Sequence, residues 1–212
     1  CGASHKNFIS WEECTQKYQV IKSDVRENIL RLNSSPNFGL EHASYLIKSK
    51  GKRILIDCPS TYDANLGKID EVFYTHNHFI GAGNLYQEQQ YTKLNIHQKD
   101  AKGKKKKNQD FDEHFNDNFK INDLEAIHIN GHTQGFTVYF YENVIFICDY
   151  IFLSRDGMKF NPYGPEGKTE EGAKRFNEII DRESQNFKYV CGVDYVLDYK
   201  EWYERFLKLL KK

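Results

Sequence analysis

Thr75-His76-Asn77-His78 carries two imidazoles one residue apart, directly after the apolar run at 69–74. A strand ending in His-x-His delivers both rings to one point at a sheet edge, and imidazole nitrogen is a ligand for Zn, Fe, Cu and Ni. A third imidazole stands in Gly131-His132-Thr133-Gln134-Gly135, which opens another strand-rich stretch. A carboxylate stands in Cys148-Asp149-Tyr150, which closes the apolar run at 144–147. Three imidazoles and one carboxylate, each at an expected strand end, are enough for one ion, because a catalytic zinc takes about three protein ligands and keeps an open position. The set also contains two histidines and one carboxylate, the usual ligands of non-haem Fe(II) oxygenases.

These segments, in this order, resemble the motifs of the metallo-β-lactamase superfamily: Thr-His-x-His-x-Asp-His, Gly-His-Thr-x-Gly, a Gly-Asp pair after a strand, and a late Gly-His. The resemblance runs from about residue 54 to residue 195 and includes Arg53-Ile54-Leu55-Ile56-Asp57, similar to the strand ending in Asp that precedes the first motif. Any one motif is weak evidence; several in register are strong. The chain also departs from the pattern. Ile80 and Gly81 stand where the first motif ends in Asp and His, and Cys191-Gly192-Val193-Asp194-Tyr195 replaces the late Gly-His. The resemblance therefore implies that His76, His78, His132 and Asp149 hold the first metal and that the second site has lost its own ligands. One ion at most is expected, Zn or Fe, with Asp194 the one carboxylate that can swing toward the late-histidine position.

The expected activity is hydrolysis of a small ester or thioester. Without a second metal the leaving group lacks an electrophilic clamp, which argues against β-lactams and phosphodiesters. Asp149 is expected to serve as ligand and proton acceptor, and Asp57 to hold a ligand imidazole in the right tautomer. Tyr150, Arg155 and Tyr163, which follow Asp149 where this superfamily often builds its substrate pocket, are the expected substrate residues. Two alternatives stand beside this reading. One is a mononuclear iron sulfur dioxygenase on the pattern of the superfamily's persulfide dioxygenases, whose ligand positions map to His76, His132 and Asp149. The other is a non-catalytic binding module that has lost its metal. His128 is expected to be hydrogen-bonded rather than ligating, and His5, His42, His97 and His114 show no partners in the sequence.

The elements that must position these residues follow from periodicity. Strands are expected at 18–20 and 29–32, at 40–49, at 53–57 and at 69–74, with a turn at 34–37. A helix is expected from 81 to 89 and a returning strand at 91–96. The second half supplies strands at 124–129, 135–141 and 143–148, the last two joined by a tight turn at Glu142-Asn143. A helix from 168 to 183 with Thr169 as cap, a short strand at 189–192 and a terminal helix at 202–210 complete an α+β chain whose expected form is a four-layer αββα sandwich.

The 212 residues suit one core, so a single domain over 1–212 is expected, with 1–16 a remnant of a preceding segment. Thirty basic residues against thirty acidic ones produce no net field for nucleic acid or membrane, and the run Lys104–Lys107 reads as a solvated loop. No run of about 18 apolar residues exists to span a bilayer. A small-molecule substrate is the expected partner, in a reducing, cytoplasmic setting. Five cysteines without a CxxC pair indicate neither a disulfide framework nor a zinc knuckle. Cys58 and Cys148 flank strand-end aspartates and are expected to fill space rather than react. The Cys1-Gly2 start suggests a processed or shortened chain: a lipidated cysteine, or loss of an upstream ferredoxin-like segment, for which Cys1 and Cys14 alone supply too few ligands.

Overall fold

The computed structural model describes residues 10–37, 42–101, 110–155, 157–164, 168–182 and 186–211. A short helix α1 (Trp11–Lys17), closed by a capping box between Ser10 and Glu13, leads into the first sheet. That sheet runs in chain order through β1 (Gln19–Arg26), β2 (Ile29–Ser35), β3 (Ser44–Ser49), β4 (Lys52–Ile56), β5 (Glu71–Phe73), β6 (Lys93–His97) and β7 (Glu113–Phe115). Up to β4 the neighbours pair antiparallel; from β4 to β7 they pair parallel. Parallel neighbours need crossovers, supplied by α2 (Gly83–Gln90) between β5 and β6 and α3 (Gln98–Ala101) after β6. The consequence is functional: β4, β5 and β6 all end at the same sheet edge, so the residues just after them share one place.

The second sheet is ordered β15-β14-β11-β10-β9-β8, from β8 (Phe119–Ile121), β9 (Leu124–His128), β10 (Thr137–Tyr141), β11 (Val144–Cys148), β14 (Tyr189–Gly192) and β15 (Val196–Asp198). A separate hairpin, β12 (Ile151–Ser154) with β13 (Gly157–Phe160), follows Asp149. Helices α4 (Lys168–Arg182) and α5 (Tyr199–Leu209) finish the half, the latter capped by Asp198.

Strand alternation sorts the buried side chains into three layers of contact. Tyr45, Ile54, Ile56 and Phe73 meet Tyr139, Tyr141, Phe146 and Cys191 between the sheets. Leu46, Leu55 and Val72 turn outward to Tyr86 of α2, while Val138, Phe140, Ile145 and Val190 turn outward to Phe176, Trp202 and Phe206 of α4 and α5. Each such side chain contributes on the order of 1.5–3 kcal/mol by leaving water. The four-layer αββα sandwich is the architecture observed.

Local boundaries differ where pairing overrides propensity. Strand β2 runs through Ser34 and Ser35, expected in a turn, because β1 pairs with it as far as Gln19 opposite Ser35. Thr169 sits inside the first turn of α4, buried, rather than at its cap. Residues 40 and 41, the start of the strand expected at 40–49, and the Lys104–Lys107 run lie outside the described residues, as do Cys1 and His5. No helix among the described residues is long and apolar enough to cross a membrane.

Candidate metal centre

Two hydrogen bonds between the halves fix the edge where the motifs meet: Thr137 N–H donates to Thr75 O at 2.9 Å, and Tyr139 O–H donates to Tyr74 O at 2.8 Å. His76 and His78 leave β5 beside them. Across the gap, His132 arrives on the loop between β9 and β10, and Asp149 follows β11. Ligand atoms of His76, His78 and His132 lie within 4.8 Å of one another, with His76 and His132 buried and His78 exposed. His78 Nδ1 stands 3.0 Å from His132 Nε2. Asp149 Oδ2 is 3.4 Å from His76 Nε2 and 3.6 Å from His132 Nε2. Two atoms each about 2.0–2.1 Å from a tetrahedral zinc stand about 3.4 Å apart, so these spacings are those of ligands around a common ion.

The orientation of His76 is set from behind. Asp57, buried and held at the end of β4 with φ 54°, accepts from Thr75 N–H and from the Thr75 hydroxyl, both at 2.8 Å. With its proton given to Asp57, Thr75 Oγ1 accepts from His76 Nδ1–H at 2.9 Å. The lone pair of His76 is then on Nε2, which is buried, faces Asp149 and has no hydrogen-bond partner among the described residues. Asp57 thus acts on the imidazole through Thr75, not by direct contact.

The Gly131–Gly135 loop is shaped by two close approaches. Gly131 has φ 118°, and a Cβ there would overlap the Tyr150 hydroxyl. Gly135 rests on the Asp100 carboxylate, donating to Oδ1 at 2.8 Å, while Thr133 Oγ1 donates to Oδ2 at 2.6 Å. Asp100 is buried, and its carbonyl also accepts from Asn77 Nδ2 at 2.9 Å, so one residue of α3 pins both histidine loops. Sequence reasoning missed Asp100; its signal was an acid just past a strand ending, like Asp57. It missed Asn161 as well, whose Nδ2 donates to Asp149 O at 2.9 Å and Oδ2 at 3.2 Å.

Burial opposes the charge on Asp149, but His76, His132 and His42 outweigh it and hold the carboxyl well below the usual range. Burial likewise disfavours charge on His76, yet Asp149 and Asp57 raise it. For His132 burial wins over Asp149, and its pKa falls to about 3. Burial pushes Cys58 and Cys148 up, so both stay neutral thiols, as space-filling residues do.

The other expected residues are distributed more widely. Tyr150 is not at the opening: it is buried, and its hydroxyl donates to Thr169 O at 2.6 Å, which makes it a core strut. Arg155 is exposed at the β12–β13 turn. Tyr163 is 79% exposed, its N–H donating to Asn161 Oδ1 at 3.0 Å beside the centre. His128 Nε2 donates to Gln134 O at 2.8 Å and stacks on His97 at 4.1 Å, outside the cluster. Expecting no partner for His97 and His42 was wrong, since His42 Nδ1 lies 4.0 Å from Asp149 Oδ2.

The residues present fit one ion. Asp149 Oδ1, like His76 Nε2, is buried without a hydrogen-bond partner among the described residues, which costs free energy unless something binds it. Ile80 packs against the outer apolar layer, and Gly81 has φ 59° with Cys58 and Pro59 carbonyls where a Cβ would go, so a side chain at position 81 is excluded by shape. Asp194 is exposed in the turn after β14.

No protein-family model and no curated protein matches the sequence. Solved structures do. The DIM-1 metallo-β-lactamase exposed to ceftazidime matches with TM-score 0.73 at 14% identity, over 91% of this chain and 97% of that one. A metallo-β-lactamase from Pontibacter korlensis matches with TM-score 0.73 at 16% identity, over 92% and 100%. FIM-1 from Pseudomonas aeruginosa, in its mono-zinc form, matches with TM-score 0.72 at 12% identity, over 91% and 95%. The chain has the metallo-β-lactamase fold.

Proposed function

We propose that this chain is a metalloprotein with one ion per chain, held by His76, His78, His132 and Asp149, and that it hydrolyses a small ester or thioester. The reading is carried by the convergence of three imidazoles and Asp149 Oδ2 at ligand spacing, with His76 Nε2 and Asp149 Oδ1 buried and otherwise unpaired. His76, His78, His132 and Asp149 would hold the ion, and zinc bound there would supply a water of pKa towards ~7 and a Lewis acid for a carbonyl oxygen. The chain's own part is to hold the ligands in place. Asp57 and Thr75 fix the His76 tautomer, Asp100 fixes the His132 loop, and Asn161 fixes the Asp149 carboxylate. Exposed Tyr163 and Arg155 are the residues offered to an anionic substrate group. The missing second-site ligands argue against β-lactam and phosphodiester substrates, because nothing replaces the clamp on the leaving group.

A second reading rests on a specific observation: Asp149 Oδ2 lies between His76 Nε2 and His132 Nε2, while His78 is exposed and can leave its position open. Two histidines and one carboxylate suit Fe(II). The two readings separate in one experiment on protein loaded with zinc or, anaerobically, with iron. Release of thiol from acyl-thioesters by the zinc form supports hydrolysis; oxygen uptake with glutathione persulfide by the iron form supports the dioxygenase. Neither activity in protein that carries its ion leaves a binding module.

A further inference from the structure

The superfamily motifs assign no role to the loop between β2 and β3, yet that loop sends an imidazole to the centre. His42 Nδ1 is 4.0 Å from Asp149 Oδ2, its side chain is 24% exposed, and its ring packs on Phe79 at 4.8 Å between centroids, one residue beyond His78. Its backbone is tied down immediately afterwards. Ala43 N–H donates to Val193 O at 3.2 Å, and Tyr45 O–H donates to Gly192 O at 2.5 Å. Val193 N–H in turn donates to Cys148 O at 2.9 Å, next to Asp149. The segment that lacks the late histidine is therefore the one that anchors a different histidine against the same carboxylate.

We propose that His42 is an additional ligand of the ion held by His76, His78, His132 and Asp149, entering from the β2–β3 loop. This rests on the one-ion reading above. The separation of 4.0 Å from Oδ2 exceeds the tetrahedral edge of about 3.4 Å and is that of a wide ligand–metal–ligand angle, as in a site of more than four ligands, in which a sixth position stays open to water or substrate. Zinc expands to five ligands without penalty from d-electrons, and Fe(II) accepts five or six. The ring is held at that place by Phe79, and the backbone that follows it by the Ala43–Val193 hydrogen bond.

The test uses the full chain, stripped of metal and reloaded with Co(II), whose visible bands report coordination number and donor type. His42→Cys is expected to add a sulfur-to-cobalt charge-transfer band in the near ultraviolet, since a thiolate at position 42 touches the ion only if the native imidazole does. His42→Gln is expected to change the energy and intensity of the visible bands and to weaken Zn(II) binding at least about tenfold in chelator competition, while His114→Ala changes neither. Circular dichroism shows that each variant is folded. Unchanged visible bands in His42→Gln and no new band in His42→Cys, with bands lost in His76→Ala, overturn the role of His42 and leave the one-ion reading standing. Failure of the wild-type chain to bind Co(II) or Zn(II) overturns both.

Discussion

Asp57, Thr75 and His76 form a directional chain: carboxylate, hydroxyl, imidazole. Removing the middle member leaves Asp57 Oδ2 buried without its donor and lets the imidazole choose either tautomer. Thr75→Val is expected to lose about 1–3 kcal/mol of stability and 10- to 100-fold in metal affinity, measured by urea unfolding and chelator competition. His76→Ala and His132→Ala are expected to lose metal outright, whereas His128→Ala keeps it, because His128 spends its Nε2–H on Gln134 O. Equal loss in all three displaces the site from this edge. The histidines also set a pH dependence in the metal-free chain. His132 takes its proton at about 3 when folded and near 6.5 when unfolded, so the unfolded state binds more protons and stability falls as pH drops through that window. His76 works in the opposite sense: its contribution is full below about 6.5 and is lost as pH rises through its raised folded value. His132→Gln is expected to flatten the loss on the acid side, read as a smaller difference in urea midpoint between about pH 4.5 and about pH 7.

At the level of elements, the site depends on strands that end together and on loops pinned from the opposite half. Asp100 of α3 carries that load for the Gly131–Gly135 loop, with two hydrogen bonds across the sheets. Asp100→Ala is expected to cost about 2–3 kcal/mol by orphaning buried donors and to lower metal affinity with no ligand touched; unaffected affinity would separate the loop from the centre. Restoring the motif does not restore a second site. Ile80→Asp with Gly81→His places a side chain at φ 59° against two carbonyls and is expected to destabilise the fold by more than about 2 kcal/mol, seen as a lowered unfolding midpoint with metal content unchanged. Much of the element level was legible beforehand, since strands announce themselves by apolar runs and the terminal helix by its Trp202–Phe206–Leu209 face. The hairpin after Asp149 was not, because β12 and β13 are short and half-exposed and carry little alternation.

For the whole molecule, two sheets face each other with helices outside, and the candidate ligands gather where their edges meet. His76, His78, His132 and Asp149 were readable because each stands at a strand end within a motif. His42 and Asn161 were not, because their proximity arises only when the two sheets pack, and no local spacing encodes it; Asp100 carried only the weak signal of an acid just past a strand ending. Tyr150 shows the converse: its place beside Asp149 in sequence suggested a substrate contact, while packing turned it inward to Thr169. The fold is shared with metallo-β-lactamases at 12 to 16% identity, so the activity must be argued from the site.

The central claim is that this edge holds a single ion, and elemental analysis of the purified chain after loading with zinc or iron and removal of excess metal tests it most directly. One ion per wild-type chain, absent in His76→Ala and His132→Ala, is the expected result. Two ions per chain, or none, contradicts it.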